Sequence, residues 1–159
     1  MTHGSNNPEL IYGRNPVQVW LDSGLPVKRI LIAADTHGST LASIEESARE
    51  RGITVSRLPR EILIKIVGHN MHQGVAAEVK MPPYVSIDDI LKFAEEKKEP
   101  PLVCILDGVQ DPQNFGAVLR TADGAGVHGV IVAKDRAVGL TPAAFKASAG
   151  AAAYVRVAQ

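Results

Sequence analysis

DGVQDPQNFGAVLRTADGAGVHGVIV, residues 107–132, decides how the rest of the chain is read. It follows the apolar run LVCIL at residues 102–106, whose length and composition suit a buried strand. Asp111-Pro112 then predicts a helix start, with the aspartate as N-cap and the proline at the first helical position. At the helical period Phe115, Val118, Leu119, Ala122 and Gly126 share one face, while Gln113, Gly116, Arg120 and Asp123 gather on another. Asn114 falls on the opposite flank in the first turn, beside unpaired helical N–H groups. Residues 126–129 end the helix and VIV at 130–132 begins a second strand. Strand, polar loop, helix and strand in this order predict a parallel α/β sheet. The loop and first helical turn lie at a strand's carboxyl end, where such sheets bind ligands.

Arg120 admits two readings. It is either a solvated helix arginine paired with Asp123, a contact worth about 0.2–0.5 kcal/mol, or a cation held for chemistry. Gly116, one turn earlier, removes a side chain that would crowd it, and a mid-helix glycine costs up to about 1 kcal/mol relative to alanine. The spacing Asn114-x-Gly116-x-x-x-Arg120 therefore gathers an amide, an open backbone and a permanent cation around one loop.

These residues, continued by Ala122-Asp123 and Gly126-Val127, closely resemble the first signature motif of the SpoU (TrmH-like) RNA 2′-O-ribose methyltransferases of the SPOUT superfamily. The resemblance implies that Arg120 activates the ribose 2′-hydroxyl and that Asn114 supports the site. Near the start, IYGRNPVQVWL resembles that family's substrate-binding domain, and so does HNMHQGVAAEV at residues 69–79. That domain has the fold of ribosomal proteins that bind kinked RNA. With DRAVGLTPAAFKASAGAA, the resemblance runs from about Leu10 to the end. It is strongest to enzymes that methylate a guanosine of 23S ribosomal RNA. S-adenosylmethionine is the implied cofactor and ribosomal RNA the implied partner.

The family carries two further motifs, a Gly-rich one with a glutamate and one with Ser-Leu-Asn, on a knotted backbone that binds the cofactor. Neither follows here before Gln159. The expectation is a fragment: the N-terminal half of a knotted catalytic domain, inactive alone, its cofactor-binding residues outside the chain and unknown. The full-length enzyme would be a homodimer. From a different class, a non-catalytic RNA-binding protein that keeps the substrate domain remains the alternative.

The expected organisation is an α/β/α RNA-binding domain at residues 9–80, a mobile linker at 81–101 and the partial methyltransferase domain at 102–159. MPP at 81–83 and PP at 100–101 bracket the linker, which carries a helix over residues 86–98 with Ile87, Ile90, Leu91 and Ala94 inward. In the first domain strands are expected at 27–33, 53–58 and 74–80. Helices are expected after Pro16 (Val17, Trp20 and Leu21 buried), over about 36–52 and over 59–67. Residues 1–8 read as disordered or tag-like and are set aside. The last helix is expected from Thr141-Pro142 to about Gly150, and a short strand at 154–157.

Charge gives the nucleic-acid reading no support. Residues 1–80 carry nine Lys/Arg against eight Asp/Glu, and residues 81–159 eight against nine, so any footprint must be a local patch. Arg14 and Asn15 are either a helix-entry turn or a clamp on phosphate and sugar. His72-Gln73-Gly74 is either an RNA-contacting turn, as the resemblance implies, or a turn whose side chains tie down backbone. Lys134-Asp135-Arg136 is either a contact to RNA phosphates or a solvated loop.

Apolar residues make up 45% of the chain, enough for a packed core, and no segment has the roughly 18 apolar residues of a membrane span. The start is polar, with no signal peptide, so the cytoplasm is expected. Cys104, alone within LVCIL, predicts no disulfide and a buried, inert thiol. Gly124-x-Gly126-x-x-Gly129 fits the dinucleotide-binding pattern but follows a helix and precedes a strand, the reverse of what pyrophosphate binding needs. His69-x-x-His72 lacks accompanying ligands at zinc spacing, so no metal is expected.

Overall fold

A computed structural model describes residues 9–159. The expectation for residues 1–8 lies outside the described residues. The chain divides into two units, one ending at Met81 and one running from Pro82 to Gln159.

The first unit contains β1 (Glu9–Tyr12), α1 (Arg14–Asp22), β2 (Val27–Ala33), α2 (Ser39–Glu50), β3 (Thr54–Leu58), α3 (Arg60–Val67) and β4 (Val75–Val79). The sheet order is β1-β4-β2-β3, with β2 and β3 parallel and both partners of β4 antiparallel to it. Alternation along β2 sends Leu31 and Ala33 to one face, where they pack with Ala76 and Leu63 of α3. Ile30 and Ile32 point the other way and are equally buried. Helices α1 and α2 pack on each other through elements whose buried residues are Val17, Trp20 and Leu21, and Leu41, Ile44 and Ala48. These are the inward positions expected from the periodicity. Strand β1 was not anticipated, because four residues broken off by Gly13 (φ 97°) show no period.

The second unit contains α4 (Ile87–Lys97), β5 (Val103–Leu106), α5 (Pro112–Gly124), β6 (Gly129–Val132), α6 (Pro142–Ala147), a 3-10 turn (Ala151–Ala153) and β7 (Val157–Ala158). Its sheet, β5-β6-β7, is parallel throughout. Helix α4 begins with a capping box: Ser86 Oγ accepts from Asp89 N–H while the Asp89 carboxylate accepts from Ser86 N–H.

Two sequence expectations change here. The mobile linker was expected at residues 81–101; all of it but Met81 belongs to the second unit. Val85 N–H donates to Val157 O and bridges Ala158 in parallel, and Ile90 is fully buried against Gly129. Prolines bracket this segment without freeing it, because the strap between them extends the sheet and its helix covers it. LVCIL was expected to be a buried strand, but β5 is an edge strand. Ile105 is 73% exposed, Leu102 is exposed, and Cys104 is half-buried rather than enclosed. An apolar run alone does not say whether its strand lies inside a sheet or at its edge.

Candidate active site and RNA-binding edge

Because β5, β6 and β7 run parallel, their carboxyl ends share one edge, and the loops at 107–111 and 133–141 lie along it. Val138 N–H donates to Val109 O at 2.8 Å and ties the two loops together. Tyr84 secures the second loop from the strap: its hydroxyl accepts from Leu140 N–H at 3.0 Å. A Cβ on Gly139 would lie 2.4 Å from that hydroxyl oxygen, so the glycine is needed for the seat. Nothing in the sequence flagged Tyr84, because its partner is 56 residues away.

Helix α5 leaves this edge as its start signal predicts. Asp111 Oδ1 accepts from Gln113 N–H at 2.7 Å, and Pro112 occupies the first turn. Phe115, Leu119 and Ala122 are buried. Asn114 and Arg120 are both exposed, and neither makes a hydrogen bond or ion pair among the described residues. The pair with Asp123, which one of the two readings of Arg120 offered, is not formed among the described residues. Six residues separate Asn114 from Arg120, a rise of about 9 Å and a turn of about 240°, so they leave the helix on different sides.

Gly116 corrects the sequence reading. It is buried under α6 and opens nothing beside Arg120. A Cβ there would lie 2.5 Å from the Ala147 Cβ, 2.7 Å from Ser148 N and 2.8 Å from Ala144 O. The glycine lets two helices approach backbone to backbone, and that close contact is the reason for a costly mid-helix glycine. Lys134, Asp135 and Arg136 are exposed on the second loop, with Arg136 at φ 57°. A groove of about 320 Å³ beside α5 is walled by Cys104, Ala117, Val118, Thr121, Ala122, Ala125 and Val127, and carbon dominates its lining.

In the first unit, the carboxyl ends of β1, β2 and β3 and the amino end of β4 gather on one edge with the loops at 34–38 and 68–74. The residues expected to bind RNA meet there and divide into distinct roles. Arg14 stands at the first turn of α1, whose N-cap, Gly13, supplies no side chain. Gln73 substitutes from 59 residues away: its Oε1 accepts from Arg14 N–H at 2.9 Å and its carbonyl accepts from Arg14 Nε at 3.3 Å. Arg14 Nη2 donates to His37 O at 3.3 Å. Asn15 is exposed.

His72 is fully buried and faces no ligand directly. Its Nδ1 accepts from Gly74 N–H at 3.0 Å, which leaves the proton of a neutral ring on Nε2. Burial lowers its pKa first, coulombic interactions with Arg60 and His69 lower it further, and Asp35 opposes them. His69 likewise spends Nδ1 on Met71 N–H. Gly74 (φ 81°) is packed on Thr36, whose Oγ1 a Cβ would meet at 2.3 Å. His72 and Gly74 thus hold the backbone of this turn. Arg60, which the sequence did not single out, holds this edge from below through Asp35 Oδ2 (2.7 Å) and Thr36 Oγ1 (2.8 Å). Its hydrogen bond is the largest cause of Asp35's lowered pKa.

Both halves match known proteins. Residues 10–85 match the family described as "RNA 2'-O ribose methyltransferase substrate binding", and residues 101–159 match the "SpoU rRNA Methylase family". The chain is 39% identical over 155 residues to a putative TrmH family tRNA/rRNA methyltransferase, YacO, of Bacillus subtilis, covering 98% of the chain and 62% of the relative. It is 36% identical to an uncharacterized tRNA/rRNA methyltransferase of Mycolicibacterium vanbaalenii, covering 98% and 50%. The AdoMet-bound rRNA methyltransferase of Sinorhizobium meliloti superposes with a TM-score of 0.70 at 23% identity, over 94% of this chain and 53% of that one. The SpoU methyltransferase AviRb of Streptomyces viridochromogenes, in complex with AdoMet, gives 0.70 at 25% identity, over 94% and 54%. The chain thus spans about half to three fifths of the relatives it matches.

Proposed function

Because the chain belongs to the SpoU family of RNA methyltransferases, we propose that it serves the S-adenosylmethionine-dependent methylation of a ribose 2′-hydroxyl in ribosomal RNA. The target is a guanosine of the 23S species. The complete enzyme works in the cytoplasm as a homodimer, with RNA engaged by the first unit and chemistry on the second.

One observation carries the reading. Asn114 and Arg120, at the spacing of the family's first motif, are exposed on α5, a helix that starts at the carboxyl edge of its sheet, and like Gln113 and Asp123 their side chains are not engaged by another described residue. A 2′-hydroxyl is a poor nucleophile until its proton is removed, and negative charge then develops on its oxygen. A guanidinium keeps its proton in ordinary surroundings. The exposed position of Arg120 therefore supports an electrostatic role, holding the developing alkoxide with a permanent cation. Asn114 supplies an amide donor and acceptor in the first turn. S-adenosylmethionine, when bound, supplies the methyl group.

The groove beside α5 does not form a fitting seat for that cofactor. Neither Asn114 nor Arg120 lines the groove beside α5, whose carbon walls lack the placed donors and acceptors that an amino-acid tail and a ribose need. Residues 1–159 by themselves should accordingly show no heat of S-adenosylmethionine binding and no methyl transfer to unmodified large-subunit RNA. Calorimetry, with and without RNA, is the test. Micromolar binding would overturn this part of the reading and place the cofactor on the residues described here.

A further inference from the structure

Arg14 stands against the electrostatics of its own fold. Cations are favoured at helix C-termini and disfavoured at N-termini, yet Arg14 is at the first turn of α1. Its Nη1 also sits at the start of α2, where a Cβ on the N-cap Gly38 would lie 3.1 Å away. Neither helix carries an acidic residue in its first turn. Among the described residues of this unit, Arg29, Arg49, Arg57 and Arg60 each pair with a carboxylate. Arg51 donates to Leu21, Gly24 and Leu25 carbonyls at the end of α1, where the helix field favours it. Among the described residues, the Arg14 guanidinium is held through neutral main-chain oxygens of Gln73 and His37. The nearby carboxylate, Asp35, is engaged by Arg60. The fold fixes this cation without neutralising it.

Gln73 does the fixing, and at a conformational cost, since its φ of 55° lies in the left-handed region that non-glycine residues rarely adopt. We propose that Gln73 is a positioning residue for RNA binding, which holds Arg14 across the starts of α1 and α2 so that its charge is left for a phosphodiester of the RNA. Gln73 was expected to touch RNA itself; here it acts through Arg14. This rests on the RNA-binding reading above and adds to it which side chain meets the phosphate and which one aims it.

The structure supplies a test in which stability and affinity move in opposite directions. Gln73→Glu keeps the acceptor for Arg14 N–H and places a carboxylate at the helix start, so the 159-residue chain should melt at or above the unsubstituted temperature. The same carboxylate neutralises Arg14. Affinity for an unmodified large-subunit RNA transcript should fall about tenfold, as for one lost charge-assisted contact. The plot of log affinity against log salt should become shallower by about 0.7–0.9, one phosphate's worth. Gln73→Ala keeps the main-chain carbonyl that accepts from Arg14 Nε but removes the side-chain acceptor of Arg14 N–H, so it should lower the melting temperature and, by loosening the first turn that carries Arg14, lower affinity as well. In an Arg14→Gln background it should lower the melting temperature alone, because its effect on RNA passes through Arg14. A folded Gln73→Glu variant with unchanged affinity and salt slope overturns the proposal. So does a Gln73→Ala loss of affinity that persists without Arg14, which would make Gln73 a direct contact. If the unsubstituted chain binds no RNA at any salt, the underlying RNA reading fails, and this proposal with it.

Discussion

Two arginines, one in each unit, show how differently this chain prepares its polar groups. Arg14 is locked by three hydrogen bonds from loops 23 and 59 residues away before any ligand arrives. Arg120 makes none among the described residues, and its helix is fixed by the Asp111 cap and by the packing of its buried residues. A group that binds a phosphate benefits from being set in advance, since ordering it costs affinity later. A group that acts on a developing charge needs only a rigid helix beneath it until its partners assemble. The first edge is therefore a built surface, and the second is a scaffold that leaves Asn114 and Arg120 exposed.

The largest effect that would sharpen this contrast is kinetic. In a complete enzyme Arg120→Ala should lower methyl transfer by about 10²–10³. RNA affinity and melting temperature should stay near those of the unsubstituted enzyme, because the side chain is exposed and makes no hydrogen bond or ion pair among the described residues. Unchanged turnover would return Arg120 to the role of a solvated helix arginine.

Next in size is Gly116→Ala. Its Cβ would press on the Ala147 Cβ and on the backbone of α6, contacts that cannot rotate away. Overpacking of this kind costs about 1–3 kcal/mol, readable as a lower urea midpoint. A neutral result would show that α5 and α6 separate easily and that the scaffold is softer than described.

A smaller effect belongs to the first edge and is driven by pH. His72 has a folded-state pKa below its unfolded value of about 6.5. Below that value the unfolded chain takes up a proton that the folded ring resists, so stability falls as pH drops from about 7 toward 5 and is unaffected above. Protonation would also remove the Nδ1 acceptor that holds Gly74 N–H. Urea midpoints at pH 7.5 and 5.5 should differ in the unsubstituted chain and converge in His72→Asn. An equal pH slope in both would assign the dependence to another group.

The smallest effect tests the loop that the strap secures. Tyr84→Phe deletes one hydroxyl acceptor, so the Leu140 amide should exchange with solvent faster while the melting temperature drops by little. Unaltered exchange at Leu140 would mean that Val138 alone holds the loop.

What could be read from sequence is what repeats or caps locally. Helix α5 was legible from Asp111-Pro112 and from Phe115, Leu119 and Ala122, because one buried stripe and one N-cap determine where a helix starts and which side faces inward. The buried sides of α1 and α2 followed by the same rule, and so did the two α/β units. The Asn114 to Arg120 spacing pointed to the exposed groups on α5 without any coordinates. The roles of single residues were decided only by the tertiary structure. Gly116 makes room for α6 rather than for Arg120, Gln73 caps a helix that starts 59 residues earlier, and Val85 turns an expected linker into sheet. Each of these depends on the distance between segments remote in sequence. Periodicity reports which side of an element is buried, but not which neighbour buries it.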